Sequence, residues 1–227
     1  MPTTKTVNNL PVLNKTITHW DKVETALGER VLLPDGATHD VAIDLAMSIQ
    51  DAETAVTVER NALSAAQGTR DATRRAAHTV AQQARLSLKG LAKNAPDLYG
   101  LPTLLAITSA PAVLLENYTD IASVWERVNA LPQARVPAAK LPLRIPLEEN
   151  NGIVHITLEQ FRARIDALRA AADTLATAES TVTEGIVERK RLHEQAGTVV
   201  KDYAGVARGL LPAGHALLKT IPTLSAG

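Results

Sequence analysis

The stretch from Leu158 to Leu210 constrains the fold most, because it is long, apolar on one side and free of proline. Its larger apolar residues recur mostly at steps of three, four or seven: Phe161, Ile165, Leu168, Leu175, Val182, Ile186, Val199, Tyr203, Val206 and Leu210. That spacing places them on one face of an α-helix. Thr157 and Gln160 form a capping box at the start of this stretch, and Pro212 follows its end. The pattern predicts one long helix over 158–210.

Residues 45–92 show the same spacing and predict a second long helix. A single amphipathic helix cannot bury its own apolar stripe, so we expect the two to pack as an antiparallel, coiled-coil-like pair with a small knob at each end. The alternative is a compact four-helix bundle, in which the long helices break near Gly68 and Gly185. A helical glycine costs only about 1 kcal/mol, so the sequence favours unbroken helices.

The two halves of the chain resemble each other in a common order, which predicts a tandem duplication. Residues 20–23 match 125–128, residues 41–45 match 154–158, and the tail 101–104 (Leu-Pro-Thr-Leu) matches 221–224 (Ile-Pro-Thr-Leu). We expect six of these residues to anchor the end knobs: Trp20, Trp125, Leu101, Leu104, Ile221 and Leu224.

Each repeat is predicted to contain a short helix, a small β-hairpin, a long helix and a tail. In the first repeat, residues 1–104, these elements cover 16–27, 30–43, 45–92 and 94–104. In the second, residues 105–227, they cover 112–131, an extended segment with a hairpin at 135–156, then 158–210 and 212–224. We expect a mainly α fold in which each knob combines one repeat's Trp helix and hairpin with the other repeat's tail.

Composition excludes several kinds of site. The absence of cysteine rules out disulfides, thiolate zinc sites and cysteine nucleophiles. Basic and acidic residues balance at 24 each, so no global field draws the chain to nucleic acid or an anionic membrane. The N-terminus lacks the apolar core of a signal peptide, and the most apolar run, 101–115, is shorter than the roughly 20 residues of a spanning helix. We expect a protein that is cytoplasmic as synthesised.

Residues that carry chemistry are scattered. His193 and Glu194 begin like a zinc-protease helix, but Gly197 stands where the second histidine would be. His39 and His155 lie beside predicted hairpins, where a turn role is favoured over a shared ion. The sequence contains neither a glycine-rich phosphate loop nor a nucleophile elbow. We therefore expect no catalytic residue, no cofactor and no metal.

Six basic residues cluster near the middles of the two predicted helices: Arg70, Arg74, Arg75, Arg189, Lys190 and Arg191. In an antiparallel pair they would converge and offer a surface for phosphate or nucleic acid. Acidic neighbours such as Asp71 and Glu188, with only six aromatic residues in the chain for base stacking, favour an ordinary solvated face.

These features predict a non-enzymatic structural or assembly protein, a rigid helical spacer that self-associates. We expect its partner to be another copy of the chain or another protein, rather than nucleic acid or a membrane. A second hypothesis is a membrane-active α-helical protein of the pore-forming kind, which would insert residues 101–115. A third is a nucleic-acid- or anion-binding module that uses the six basic residues.

Overall fold

The computed structural model of the chain describes residues 8–92, 100–136, 139–149 and 152–224, which are mainly helical. Among them are four α-helices: α1 (Leu10–Leu27), α2 (His39–Ala92), α3 (Pro111–Asn129) and α4 (Leu158–Leu210). Strands β1 (Ile145–Glu149) and β2 (Gly152–Ile156) pair antiparallel, with Ile145 opposite Ile156. Single 3₁₀ turns form at Gln133–Arg135 and Ala216–Thr220.

The chain folds into two compact units, and each contains one tryptophan. The Trp20 unit comprises Met1–Asn61 and Ser180–Gly227, and the Trp125 unit comprises Ala62–Glu179. The first half of α2 and the second half of α4 thus belong to the Trp20 unit, while their other halves belong to the Trp125 unit.

Helix α4 has the predicted bounds, and local chemistry explains its start. Thr157 Oγ1 accepts a hydrogen bond from the Gln160 N–H at 3.2 Å, and Gln160 Oε1 accepts one from the Thr157 N–H at 2.9 Å. This is the predicted capping box. Neither long helix breaks: α2 continues through Gly68 and α4 through Gly185. The breaks required by the compact four-helix bundle are therefore wrong.

Helix α1 begins at Leu10 rather than at residue 16 as predicted. Pro11 lies in its first turn, where the missing N–H is not needed, and Asn8 Oδ1 accepts the Leu10 N–H at 3.1 Å. Gly28 is the C-cap of α1, since it has φ +70° and its N–H donates to Glu24 O.

The hairpin predicted over 30–43 is wrong. The turn at Pro34 and Asp35 forms, but α2 begins at His39, so residues 41–43 are helical. The alternation of Val41 and Ile43 with smaller residues resembles a strand, yet burial follows helical spacing instead: Ala42, Leu45, Ala46 and Ile49 enter the core. The matched segment at 154–156 is part of β2, so this pair of segments does not share a structure.

The second half follows the predicted order more closely. Helix α3 spans 111–129 rather than 112–131. Strands β1 and β2 both lie within 135–156, the segment predicted to be extended and to contain a hairpin. The first part of the first predicted tail, 94–99, lies outside the described residues, as do 150–151 at the hairpin connection. The second tail, 212–224, is irregular apart from its 3₁₀ turn.

The core of the Trp20 unit forms where α1 and the tail pack on the local halves of α2 and α4. Trp20 is fully buried and stacks on Tyr203 of α4, with ring centroids 4.9 Å apart. Glu53 contacts His193 and Glu59 lies against Gly185, so the two long helices run antiparallel within this unit. The tail residues that pack against this core are Leu217, Leu218, Ile221 and Leu224.

The core of the Trp125 unit combines α3 and the hairpin with the remaining halves of α2 and α4. Trp125 is fully buried, stacks on Phe161 of α4 at 6.0 Å and donates from Nε1 to Leu143 O at 3.2 Å. Leu101 and Leu104 are partly buried and pack against this core. Each tryptophan therefore lies in a core that also contains a Leu- or Ile-Pro-Thr-Leu segment.

Two glycines of α4 provide a test of this packing in the Trp20 unit. A Cβ at Gly197 would lie 3.0 Å from Asn9 Nδ2, which is held by its 2.7 Å hydrogen bond to His193 O; a Cβ at exposed Gly205 would meet nothing within 4 Å. We expect Gly205→Ala to raise the free energy of unfolding by about 0.5–1 kcal/mol, because alanine favours helix.

Gly197→Ala should instead lower the free energy of unfolding by about 1 kcal/mol, because overpacking against Asn9 outweighs the gain in helix propensity. Urea unfolding followed by circular dichroism measures both variants. Equal stabilisation by the two substitutions would contradict the packing of Asn9 on α4.

Candidate functional site

The six predicted basic residues divide between the two units. In the Trp125 unit, Arg70 pairs with Asp71 at 2.7 Å, Arg74 donates to the backbone carbonyl of Ser109, and Arg75 is exposed. Two of these three side chains are therefore already engaged. Their cationic surface is smaller than the sequence suggested.

The other three basic residues lie in the Trp20 unit. Lys190 pairs with Glu194 at 3.7 Å, and Arg191 makes two hydrogen bonds to the Glu188 carboxylate, which hold the pKa of that carboxyl below its ordinary value. Arg189 is half-buried, and its Nε has no hydrogen-bond partner among the described residues. Acidic neighbours on the same helix thus offset most of this set.

A histidine and a tyrosine meet in each core. In the Trp125 unit, His78 Nδ1 lies 2.8 Å from the Tyr118 hydroxyl. In the Trp20 unit, His19 lies between the Tyr203 hydroxyl at 2.5 Å and the Leu217 carbonyl at 2.9 Å. Burial raises the pKa of both tyrosines, that of Tyr118 to about 12, so these phenols stay neutral and serve as hydrogen-bonding groups.

His78 is disfavoured as a cation. Partial burial lowers its pKa from 6.5, and the nearby positive charge of Arg74 lowers it further. Neutral imidazole suits the contact with Tyr118, because an unprotonated Nδ1 can accept a hydrogen bond from the hydroxyl. The pair therefore holds α2 to α3 near neutral pH.

The remaining histidines of interest also make structural contacts. His193 is buried, with Nε2 at 3.3 Å from Glu53 Oε1. His39 contacts the Ile17 carbonyl at 3.1 Å and makes a T-shaped ring contact with Trp20. His155 is exposed on β2. Among the described residues, no group of three or more histidine or carboxylate side chains is placed to hold a metal ion.

Two polar side chains that the sequence did not single out have matching contacts. Glu24, four residues after Trp20, accepts the Val31 N–H at 2.9 Å through Oε1. Asn129, four residues after Trp125, accepts the Leu143 N–H at 2.8 Å through Oδ1. Both anchor the chain that returns after a Trp helix. Their common offset from the tryptophans is the signal that would have identified them.

No known protein family, curated protein or solved structure matches this chain. Side-chain chemistry and contacts are therefore the grounds for a function.

The partial burial of His78 beside Arg74 predicts a pH-dependent stability. In the unfolded chain His78 titrates near 6.5, above its native pKa, so below that pH the unfolded state binds more protons. The free energy of unfolding should therefore fall as the pH drops from about 7.5 to about 5. His78→Gln should flatten this slope in urea unfolding, whereas the control His155→Gln, at an exposed position, should not.

On the alkaline side, unfolded Tyr118 ionises at a pKa near 10 and the native residue at about 12, so stability should fall as the pH rises through this range. Tyr118→Phe should remove that part of the loss. Unchanged slopes in both variants would show that the burial of His78 and Tyr118 does not couple protons to folding.

Proposed function

We propose that this chain is a non-enzymatic structural or assembly protein, built by tandem duplication, that self-associates through the free edge of β2. The reactive side chains described above support this proposal, since the buried histidines and tyrosines are engaged in hydrogen bonds that hold the fold together. The duplication and the association surface rest on separate observations.

Burial around the two tryptophans supports the duplication. The buried residues of α1 are Leu13, Thr16, His19, Trp20 and Val23. A shift of 105 residues, from Trp20 to Trp125, places all five on buried positions of α3: Tyr118, Ile121, Val124, Trp125 and Val128. The hydrogen bonds of Glu24 and Asn129 fall at the same relative place.

The long helices support it as well. In the Trp125 unit the buried residues near the end of α2 are Ala77, Val80, Ala81, Ala84 and Leu88. A shift of 119 residues places them on buried residues of α4 in the Trp20 unit: Ala196, Val199, Val200, Tyr203 and Ala207. At the position of Leu13 the Trp125 unit has the larger Tyr118, and at the position of Tyr203 it has the smaller Ala84. In each unit, therefore, a large residue on one helix accompanies a smaller one on the other helix.

The free edge of β2 is the observation that supports self-association. Pro146 of β1 lies opposite His155 and has no N–H to donate. We therefore infer that Pro146 and His155 form a non-hydrogen-bonded pair. Because the two kinds of pair alternate along an antiparallel ladder, Glu148 and Ile153 form another one. The backbone groups of His155 and Ile153 then point away from β1. Neither makes a tertiary backbone hydrogen bond within the described residues, and Ile153 is 72% exposed.

A second copy of the chain is the occupant that this edge suits best. Proline and charge usually protect strand edges, and β1 carries Pro146, Glu148 and Glu149, but β2 has no proline and no acidic, lysine or arginine side chain. Two β2 strands can therefore pair antiparallel about Val154 without opposing like charges. Such a pair is isologous and closes as a dimer, because the outer β1 edges are blocked.

A membrane-inserting role and a nucleic-acid-binding role have less support. Of the stretch 101–115, Leu114 is buried, and Leu101, Leu104, Leu105 and Leu115 pack against the same core. Releasing this stretch into a membrane would require the Trp125 core to open. No helix in the described part of the chain is long and apolar enough to cross a bilayer. The basic residues are largely paired, which disfavours a nucleic-acid surface.

Sedimentation equilibrium of the full chain tests the association surface. We expect a concentration-dependent monomer–dimer equilibrium, and we expect Ile153→Lys to weaken dimerisation at least tenfold by placing two like charges on the paired edges. The matched control is Val58→Lys on α2, which is 61% exposed and should leave the equilibrium unchanged. A wild-type chain that stays monomeric at all concentrations, or equal effects of the two lysines, would refute the β2 edge as the interface.

A further inference from the structure

The two proposed repeats differ in the length of the segment that follows the Trp helix. After α1, which ends at Leu27, the chain reaches buried Val31 within a few residues. After α3, which ends at Asn129, it reaches the corresponding Leu143 only after a longer loop. Binding sites are often formed by loops that are present in one repeat and absent from the other, which makes this loop a candidate for a binding site.

One side chain organises the extra loop. Gln133 Nε2 donates to the carbonyls of Val136 at 3.0 Å and Ala139 at 2.5 Å, and its Oε1 accepts the Leu141 N–H at 3.0 Å. The amide thus uses both ends to hold the described parts of the loop. This preorganisation lowers the entropy cost of binding a ligand against the loop.

The loop forms one wall of a cleft of about 600 Å³ in the Trp125 unit, facing the end of α2 and the hairpin. Its apolar lining includes Leu91, Leu141 and Pro142. Its polar lining includes Lys140, Arg144 and His155. A cleft of this volume, apolar with a few polar groups, has the size and character of a small-molecule site.

The charges of the cleft select the kind of ligand. Lys140 and Arg144 are both exposed, and neither makes an ion pair within the part of the chain that the structure describes. No carboxylate side chain is among the cleft's lining residues. Two cations facing one apolar space favour a negative group attached to an apolar body.

We propose that this cleft binds a small organic anion: a carboxylate, sulfonate or phosphate ester joined to a hydrocarbon or aromatic body. The anionic group lies between Lys140 and Arg144, and the apolar body lies against Leu91 and Leu141. Arginine and lysine provide the charge, while burial of the apolar body provides most of the affinity. The cleft shares His155 with the β2 edge, but Ile153 does not line it, so substitution of Ile153 tests self-association separately from binding in the cleft.

A groove in the Trp20 unit provides the matched control. It has a similar volume, about 610 Å³, and is also lined by two lysines, Lys15 and Lys22. Its walls, however, are α1 and the tail around Leu217, which are elements that both proposed repeats contain. A general attraction of anions to lysine-lined grooves would act at both places.

Two dyes with the same aromatic skeleton separate charge from apolar burial. The probe is 8-anilinonaphthalene-1-sulfonate, and its neutral counterpart is N-phenyl-1-naphthylamine, which lacks the sulfonate. Fluorescence titration of the folded full chain should show saturable binding of one sulfonate dye per chain, at least tenfold tighter than the neutral dye. The double variant Lys140→Gln/Arg144→Gln should weaken the sulfonate dye at least tenfold and leave the neutral dye unchanged.

The control variants complete the test. Lys15→Gln/Lys22→Gln and Ile153→Lys should both bind the sulfonate dye as the wild type does, and circular dichroism should show each variant folded. Equal binding of the two dyes, no saturable binding, or retention of binding in the Lys140→Gln/Arg144→Gln variant would overturn the proposal. Loss of binding in the Lys15→Gln/Lys22→Gln variant would also overturn it, because the site would then lie in the other groove.

Discussion

The structure depends on covering the apolar stripes of two helices that are each more than fifty residues long. Helix propensity alone does not hold such a helix in a folded chain, so most of its stability must come from packing. This chain has only six aromatic residues, and many of the buried positions on α2 and α4 are alanine or valine. Small residues let helices approach closely but bury little apolar area each. The cores therefore need a few large side chains, and both tryptophans are fully buried in them.

Local chemistry made part of this fold predictable. The start of α4 follows from the capping box of Thr157 and Gln160, and the end of α1 follows from Gly28. Continuity at Gly68 and Gly185 follows from the small cost of a helical glycine when no proline accompanies it. In each case the deciding residues lie within a few positions of the feature they control, so a single sequence contains the information.

Tertiary burial decided the features that were predicted wrongly. Val41 and Ile43 have strand propensity, yet their segment is helical because Ala42, Leu45 and Ile49 reach the core only at helical spacing. The cleft in the Trp125 unit could not be predicted from the sequence either, because it depends on Gln133 holding a loop through several hydrogen bonds to the backbone. The six basic residues were found by charge alone, but their partners, such as the Ser109 carbonyl for Arg74, are set by the fold.

The central claim is that the core around Trp20 is closed by the distant C-terminal tail, through Leu217, Ile221 and Leu224. Tryptophan emission from single-tryptophan variants tests it most directly. In a Trp125→Phe chain, deletion of residues 217–227 should shift the emission of Trp20 to longer wavelength, because the indole meets water. In a Trp20→Phe chain the same deletion should leave the emission of Trp125 unchanged. Unshifted emission from Trp20, or equal shifts from both tryptophans, would contradict the account.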